Sequence, residues 1–501
     1  MSSDHDPATP RGGAGRTAAS ASRWRLAIAA SAAAALLVGG AAYARFGRGR
    51  RGARSGAQHG LIEALPYVNY VPVLAGDLGK AGVTKYDKQR AAPGYNLYVA
   101  KPEYEARLVD MTGEVVHTWS SGEGQLDPGL KVPDLYRGWF TVRMTPKGDL
   151  LAVIGRRFVM KVDWGSHVLW KAKVAAHHEI VVADDGDAYV LSEEPRMLEV
   201  QGRRRLIADD QVVILSPEGD VKKRISVYDA IGTDEALRSR LEDAIGRSFA
   251  RLDRLGLDRL VEKYKARVEN QGDEDRDYRL AVLAKPGRID EMRDLLRTGD
   301  VRGDPFDANL LMHAVPGYPS DVMHANAIVV LKAHPAGLWK DGDVMVSIRH
   351  LNTLLVIDPA TGAARWSWGQ GELQGQHQPS LLPNGDLLVL DNGHDVNQRS
   401  RRDYSRVVEV DPAKRAIVWS YLANPPTDFW TPGEGGAEML PNGDVLVTES
   451  SKGRAFEVTR SKEIVWEYYN PKFTNMGRAR SGIYRMERLP PSIVEPLLGR
   501  R

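Results

Sequence analysis

The sequence contains no cysteine. That single absence excludes disulfides, thiolate metal sites and a cysteine nucleophile, while a cysteine-free chain is compatible with either side of a membrane. A surplus of one charge is also missing. Sixty-eight Lys and Arg stand against 65 Asp and Glu, for a formal net charge of +3. The visible basic excess gathers near the N-terminus rather than along a binding stripe, so nucleic acid is not expected as a partner. Nor does the chain carry a G-x-x-x-x-G-K-S/T loop to cradle nucleotide phosphates. What it does have is 501 residues with 43% hydrophobic and 27% charged content, the balance of a globular protein with room for one large domain and additions.

One long hydrophobic run is present. Residues 1–25 read as a disordered N-terminus rich in Ser, Ala, Gly and Thr. Leu26–Ala44 follows, free of charge and close to the roughly 20 residues that span a bilayer core. It reads as a transmembrane anchor or, through the small-x-small pattern Ala42-Tyr43-Ala44, as a signal segment. Arg16, Arg23 and Arg25 precede it and Arg45, Arg48, Arg50, Arg51 and Arg54 follow it, so charge sets no clean orientation. The expectation is a membrane-anchored protein with its domain on the extracytoplasmic, periplasmic side. Residues 45–60 form a basic linker, 61–490 the folded domain, and 491–501 a C-terminal tail.

Within 61–490 a unit recurs: P-x-G-D, an apolar strand, a second strand ending in V-D or I-D, a turn, then V-x-W. TPKGDLLAVIGRRFVMKVDWGSHVLW and PNGDVLVTESSKGRAFEVTRSKEIVW are two copies. Trp119, Trp170, Trp368, Trp419 and Trp466 close five of them, and one copy, through VVILSPEGDVKKRISV, lacks its tryptophan. Spacing of about 50 residues with four short strands per unit predicts an all-β fold, a six-bladed β-propeller closed radially. The tryptophans read as packing between units and the NGD turns as hairpins, both structural. Residues 229–307 break the rhythm. Leu237, Leu241, Ile245 and Phe249 recur every four residues behind Thr233 as N-cap, which predicts an inserted helical segment.

The chemistry rests on histidines. His324, Arg349 and His377 lie among short apolar strands, where a polar group is costly without a partner or a task. His177 and His178, His324 with Asn326, and His377 each stand where a repeat begins, and the first strands of propeller blades line the central channel. Alternation along a strand aims only one of His177 and His178 inward, with His178 preferred. The remaining histidines weighed, His5, His59, His117, His167, His313 and His334, read as structural or as loop residues. Imidazoles without thiolates can hold zinc or copper, but an arginine among them repels a cation, so no metal and no cofactor is expected and the cluster suits an anion.

The motifs DVMHANAI, SIRHLN and QHQPSLLPNGDLLVLDNG, followed by YSRVVEVD and GGAEMLPNGDVLVTES, resemble the bacterial arylsulfotransferase family, propeller enzymes that move sulfate between phenols without a nucleotide donor. The resemblance runs from about Pro93 to Tyr484. It implies that His377 is the nucleophile, sulfated on nitrogen in a ping-pong cycle. His324 and Arg349 match sulfate-binding and leaving-group positions, and the HHE motif supplies His178, with His177 beside it. Asn326, Asn392, Tyr404 and Arg406 take supporting, substrate-binding places, and the partners implied are a small-molecule aryl sulfate and a phenol. The competing reading is a non-catalytic, membrane-tethered propeller that binds an anionic ligand or a protein. A quinone-dependent dehydrogenase propeller fits less well, since eight blades and calcium-binding carboxylates would be expected.

Overall fold

The computed structural model describes residues 70–99, 102–122, 138–270, 283, 286–301, 305–315, 318–395 and 402–499. The expected membrane segment Leu26–Ala44, its flanking residues 1–25 and the linker 45–60 lie outside them. Among the described residues no helix is long and apolar enough to cross a membrane.

The described chain is mostly β, in small antiparallel sheets. Six of these contain a four-stranded repeat, and one gains a fifth strand, Gly82–Tyr86, at its edge. Their first strands are Met486–Leu489, Thr141–Met144, Ala176–Val182, Ala325–Val330, His377–Leu381 and Gly436–Met439. The first of these comes from the C-terminal end and pairs with Tyr95–Val99, so the two ends of the repeat region complete one sheet. Neighbouring sheets pack through these strands: 176–182 meets 141–144 and 325–330, 377–381 meets 325–330 and 436–439, while 141–144 also meets the second strand 95–99 and 486–489 meets the second strand 445–449. The strands are buried at every position where two sheets press on them, and are apolar but for Thr353 and Asp391 at their ends: Leu150–Ile154, Leu387–Asp391 and Thr353–Ile357.

The closing tryptophans do structural work. Each of four indoles donates from Nε1 to a hairpin turn of the next sheet: Trp170 to Pro217 O (2.9 Å), Trp368 to Arg415 O (3.2 Å), Trp419 to Arg460 O (3.2 Å) and Trp466 to Met111 O (3.0 Å). The turn must let the ring approach. At Gly219 (φ +93°) a Cβ would sit 2.7 Å from the Trp170 ring. In the sheet without a tryptophan, Lys223 occupies the same strand position and its ammonium donates to Pro359 O and, at 3.2 Å, to Ala360 O.

That sheet differs in another way. Its second and third strands, Ala188–Val200 and Arg203–Leu215, run to thirteen residues each and project as a long hairpin. The inserted helices build on it: α1 (Val227–Gly232), α2 (Glu235–Leu255), α3 (Leu257–Asn270), α4 (Arg288–Thr298) and α5 (Pro305–His313). Leu237, Leu241, Ile245 and Phe249 of α2 are buried in one apolar core with Leu206, Ile207 and Ile348. The insert therefore extends the core of two neighbouring sheets. Its N-cap is Asp234, whose carboxylate accepts from Leu237 N at 3.0 Å, and not Thr233 as expected. Thr233 instead ends α1, its hydroxyl donating to Ala230 O at 2.7 Å, because a carboxylate outcompetes its neighbour for the free N–H groups. His313, expected in a loop, is the last residue of α5. Residues 491–498 of the C-terminal tail form α6, with Val494 packed in the core beside Trp119.

Candidate functional site

Three of the inner strands break their own regularity where the histidines sit. The pairing register shifts between Ala176 and Ile180, between Ala325 and Ala327, and between His377 and Ser380. His178, His324 and Gln378 take positive φ of 53°, 52° and 48°, a conformation that costs of order 1–3 kcal/mol per residue and collects at functional sites. A bulge of this kind re-aims a side chain. Both members of the His177-His178 pair consequently face one site, with Nδ1 atoms 2.7 Å apart. The expectation that alternation admits only one of them is corrected, because that rule assumes an unbroken strand.

His377 is buried and its protonation is set by its neighbours. The Asn392 amide donates through Nδ2 to Thr431 O (2.6 Å) and Glu434 O (3.0 Å), which leaves Asn392 Oδ1 facing His377 Nδ1 at 2.8 Å. An oxygen acceptor there requires a proton on Nδ1. Nε2 then carries the lone pair, which accepts from the Glu434 backbone N–H at 3.2 Å. Burial first, and the Arg349 charge second, push the His377 pKa down to about 3. The ring is a neutral imidazole with its lone pair on Nε2, where the Glu434 N–H holds it.

Arg349 supplies the fixed positive charge. Its Nη1 lies 3.2 Å from His350 Nε2 and its Nη2 reaches Pro432 O at 3.4 Å, whereas its buried Nε has no hydrogen-bond partner among the described residues. His350 donates from Nδ1 to Asp321 O at 3.0 Å and is likewise neutral, with a pKa lowered to about 3 by burial and the His324 ring beside it. His324 stacks on His350 (centroids 4.6 Å) and meets His178 edge-on (4.9 Å). Its Nδ1 is 2.6 Å from Asp321 Oδ2. Burial raises the Asp321 pKa, but the His324 charge and hydrogen bond outweigh it and hold this carboxyl well below the usual range. His178 is pressed well below its ordinary pKa by burial and by His324 and His177. His177 Nε2 faces Asp210 Oδ1 at 3.2 Å, so a carboxylate stands behind this pair too.

The structure thus brings His377, Arg349, His324, His178, His177 and Asn392 into one connected cluster. Asn326 is buried nearby, its Nδ2 donating to Gln376 O at 2.8 Å while its Oδ1 has no partner among the described residues. Arg406 is engaged elsewhere, with Nε on Asp391 Oδ2 at 2.8 Å and Nη2 on Glu372 O at 2.8 Å. Tyr404 lies under the Arg402 guanidinium at 5.6 Å, and no described contact joins it to His377. Asp321, His350 and Asp210 were missed. Two of them had a signal in the sequence, Asp321 three residues before His324 and His350 next to Arg349. Asp321, His324 and His350 bring donor atoms within 4.8 Å of one another. A cation there would displace the existing bonds beside the Arg349 charge.

A buried donor without a partner among the described residues, a neutral imidazole and carboxylate-backed histidines are parts suited to holding an anion and attacking it. Residues 309–471 match the arylsulfotransferase (ASST) family model. The matched segment includes His324, Arg349, His377, Asn392, Tyr404 and Arg406, so the resemblance read from the motifs is supported there. The His177-His178 pair lies before it. No match was found among curated proteins. Solved structures similar to the chain include a protein of unknown function from Bacteroides caccae, at 13% identity over 79% of this chain and 98% of that one, with a TM-score of 0.41. A virginiamycin B lyase from Staphylococcus aureus with quinupristin is 7% identical over 81% and 88% of the two chains (TM-score 0.36), and the Dos1 propeller 9% identical over 81% and 77% (TM-score 0.34). Nothing about the chemistry of this chain follows from likenesses so distant.

Proposed function

We propose that the six sheets are the blades of a six-bladed β-propeller and that the chain is an arylsulfotransferase-like enzyme, moving a sulfuryl group from an aryl sulfate to a phenol through a sulfohistidine. The observation that carries this reading is the Asn392–His377 pair. By fixing the proton on Nδ1 it leaves Nε2 as the nucleophile, in the field of Arg349, whose buried Nε has no partner among the described residues. In the first half-reaction Arg349 holds the sulfate oxygens by charge-assisted hydrogen bonds. His377 Nε2 attacks sulfur, the bond from sulfur to the aryl oxygen breaks, and the departing phenolate takes a proton from an imidazolium. His324 is best placed to be that acid, since Asp321 orients its ring and stabilises its charged form. In the second half the acceptor phenol returns that proton to His324, its oxygen attacks sulfur, and the N–S bond breaks to restore neutral His377. Donors fixed around the transferring group favour its transition state electrostatically.

Transfer by the purified full-length chain from p-nitrophenyl sulfate to phenol tests this. The expected result is acceptor-dependent nitrophenolate release with parallel double-reciprocal lines, absent in His377→Ala. A folded protein that binds aryl sulfate through Arg349 without releasing nitrophenolate would favour the second reading, an anion-binding propeller. The same unpartnered Arg349 Nε supports that reading. Leu26–Ala44 is proposed to tether the domain on the extracytoplasmic side; a reporter fused to the C-terminus and found active only in the cytoplasm would contradict it.

A further inference from the structure

The inserted helix α2 does more than cover two sheets. It walls a cavity of about 390 Å³, the size of a small-molecule site, together with the loops that carry the histidine cluster. Arg240, Asp243 and Arg247 line it from α2, and His350, Asn352 and Asp395 are among the residues facing them. His350 is the link inward, since its other partners are Arg349 and the ring of His324. Arg240 and Arg247, two turns apart on one face, make no hydrogen bond or salt bridge among the described residues. Burial lowers the Arg240 pKa, with Asp234 acting against it, so this cation gains from a nearby anion. The two carboxylates in the wall do not fill that role. Asp395 already accepts from the Asn352 amide, and Asp243, exposed to water as Arg247 is, makes no salt bridge with either arginine among the described residues.

We propose that this cavity is a vestibule for aryl substrates that carry a second anionic group, a carboxylate or further sulfate, which Arg240 and Arg247 hold while the ring points past His350 towards Arg349 and His377. The inference rests on the sulfuryl-transfer reading and adds a substrate class to it. It also gives the insert a task, namely selection of the substrate by its remote charge.

Equilibrium binding to full-length His377→Ala protein, which cannot turn over, tests the vestibule apart from transfer. The probes are phenyl sulfate, 4-sulfooxybenzoate and 4-(aminomethyl)phenyl sulfate, read by titration calorimetry. The expected preference for the carboxylate over phenyl sulfate is at least about tenfold, the worth of one good charge-assisted hydrogen bond. It should fall close to one in Arg240→Gln/Arg247→Gln and largely return in Arg240→Lys/Arg247→Lys, which a merely structural role would not produce. A parent preference near one, a preference that survives the Gln pair, tighter binding of the ammonium probe, or no binding of any probe overturns the proposal. If wild-type protein transfers nothing while the binding ratios behave as stated, the sulfuryl-transfer reading falls and the vestibule stands.

Discussion

Two clusters of buried charge lie side by side, and they are built on opposite principles. In one, Arg143 pairs with Glu487 (2.8 Å) and Glu179 (3.4 Å), and Arg485 reaches both oxygens of Glu179 at 3.1 and 2.9 Å. Every cation there has a protein carboxylate. In the other, Arg349 has none among the described residues, its Nε is unsatisfied there, and the His377 and His350 imidazoles are held neutral. The two meet at His178 and Glu179, adjacent residues on one bulged strand. Buried charges satisfied within the protein hold the inner strands together, whereas a buried donor left open costs stability and, on the proposed function, is kept for the substrate.

The comparison breaks most sharply at His377. His377→Ala should lower transfer by about 10³-fold or more, the scale of losing a covalent nucleophile, with thermal stability close to wild type. Arg143→Met should do the reverse. It strands Glu487 in the interior, leaves Glu179 to Arg485 alone, and is expected to destabilise by about 3–5 kcal/mol in denaturant titration, with a smaller effect on the chemical step of the folded fraction. Asn392→Ala removes the acceptor that fixes the His377 tautomer. A buried hydrogen bond of about 1–3 kcal/mol translates to a loss of about tenfold to a hundredfold in kcat, since each 1.36 kcal/mol is tenfold.

Acidity separates the clusters by sign. His377 and His350 have folded pKa values of about 3 against about 6.5 when unfolded. Between those limits the unfolded chain binds more protons, so stability rises with pH, by at most about 1.4 kcal/mol per unit for each group. Asp321 is depressed below the carboxylate range, and its contribution is lost only in stronger acid. Glu438, beside the paired cluster, is raised by burial and then by the Glu487 charge; it binds its proton more tightly when folded and opposes the histidines. Melting temperature should therefore climb between about pH 4 and 6.5. His350→Gln should flatten the climb and Glu438→Gln steepen it. The smallest effect belongs to the missing tryptophan, where Lys223→Ala should cost no more than about 1 kcal/mol, one exposed hydrogen bond.

The many-sheeted β architecture was legible because its signals are periodic: apolar runs, glycine turns and tryptophans at a fixed strand position, each with an inter-sheet contact in the structure. The helical stripe of α2 was legible for the same reason. What periodicity cannot see is where a strand departs from it. The bulge at His177-His178 defeated a rule of alternation, and no local pattern announces a positive φ at a non-glycine residue. Competition between neighbours was equally hidden, as with Asp234 displacing Thr233 and Asp391 engaging Arg406. Asp210 approaches His177 only through the fold, and Lys223 substitutes for a tryptophan by length and charge rather than by resemblance.

The most direct test of the account is to expose the full-length chain to an aryl sulfate without acceptor, quench it, and map the peptides by mass spectrometry under conditions that preserve the N–S bond. The account predicts one sulfuryl group per chain, on Nε2 of His377, discharged when phenol is added. Release of the phenol with no adduct, or an adduct on another residue that forms equally well in His377→Ala, would contradict it.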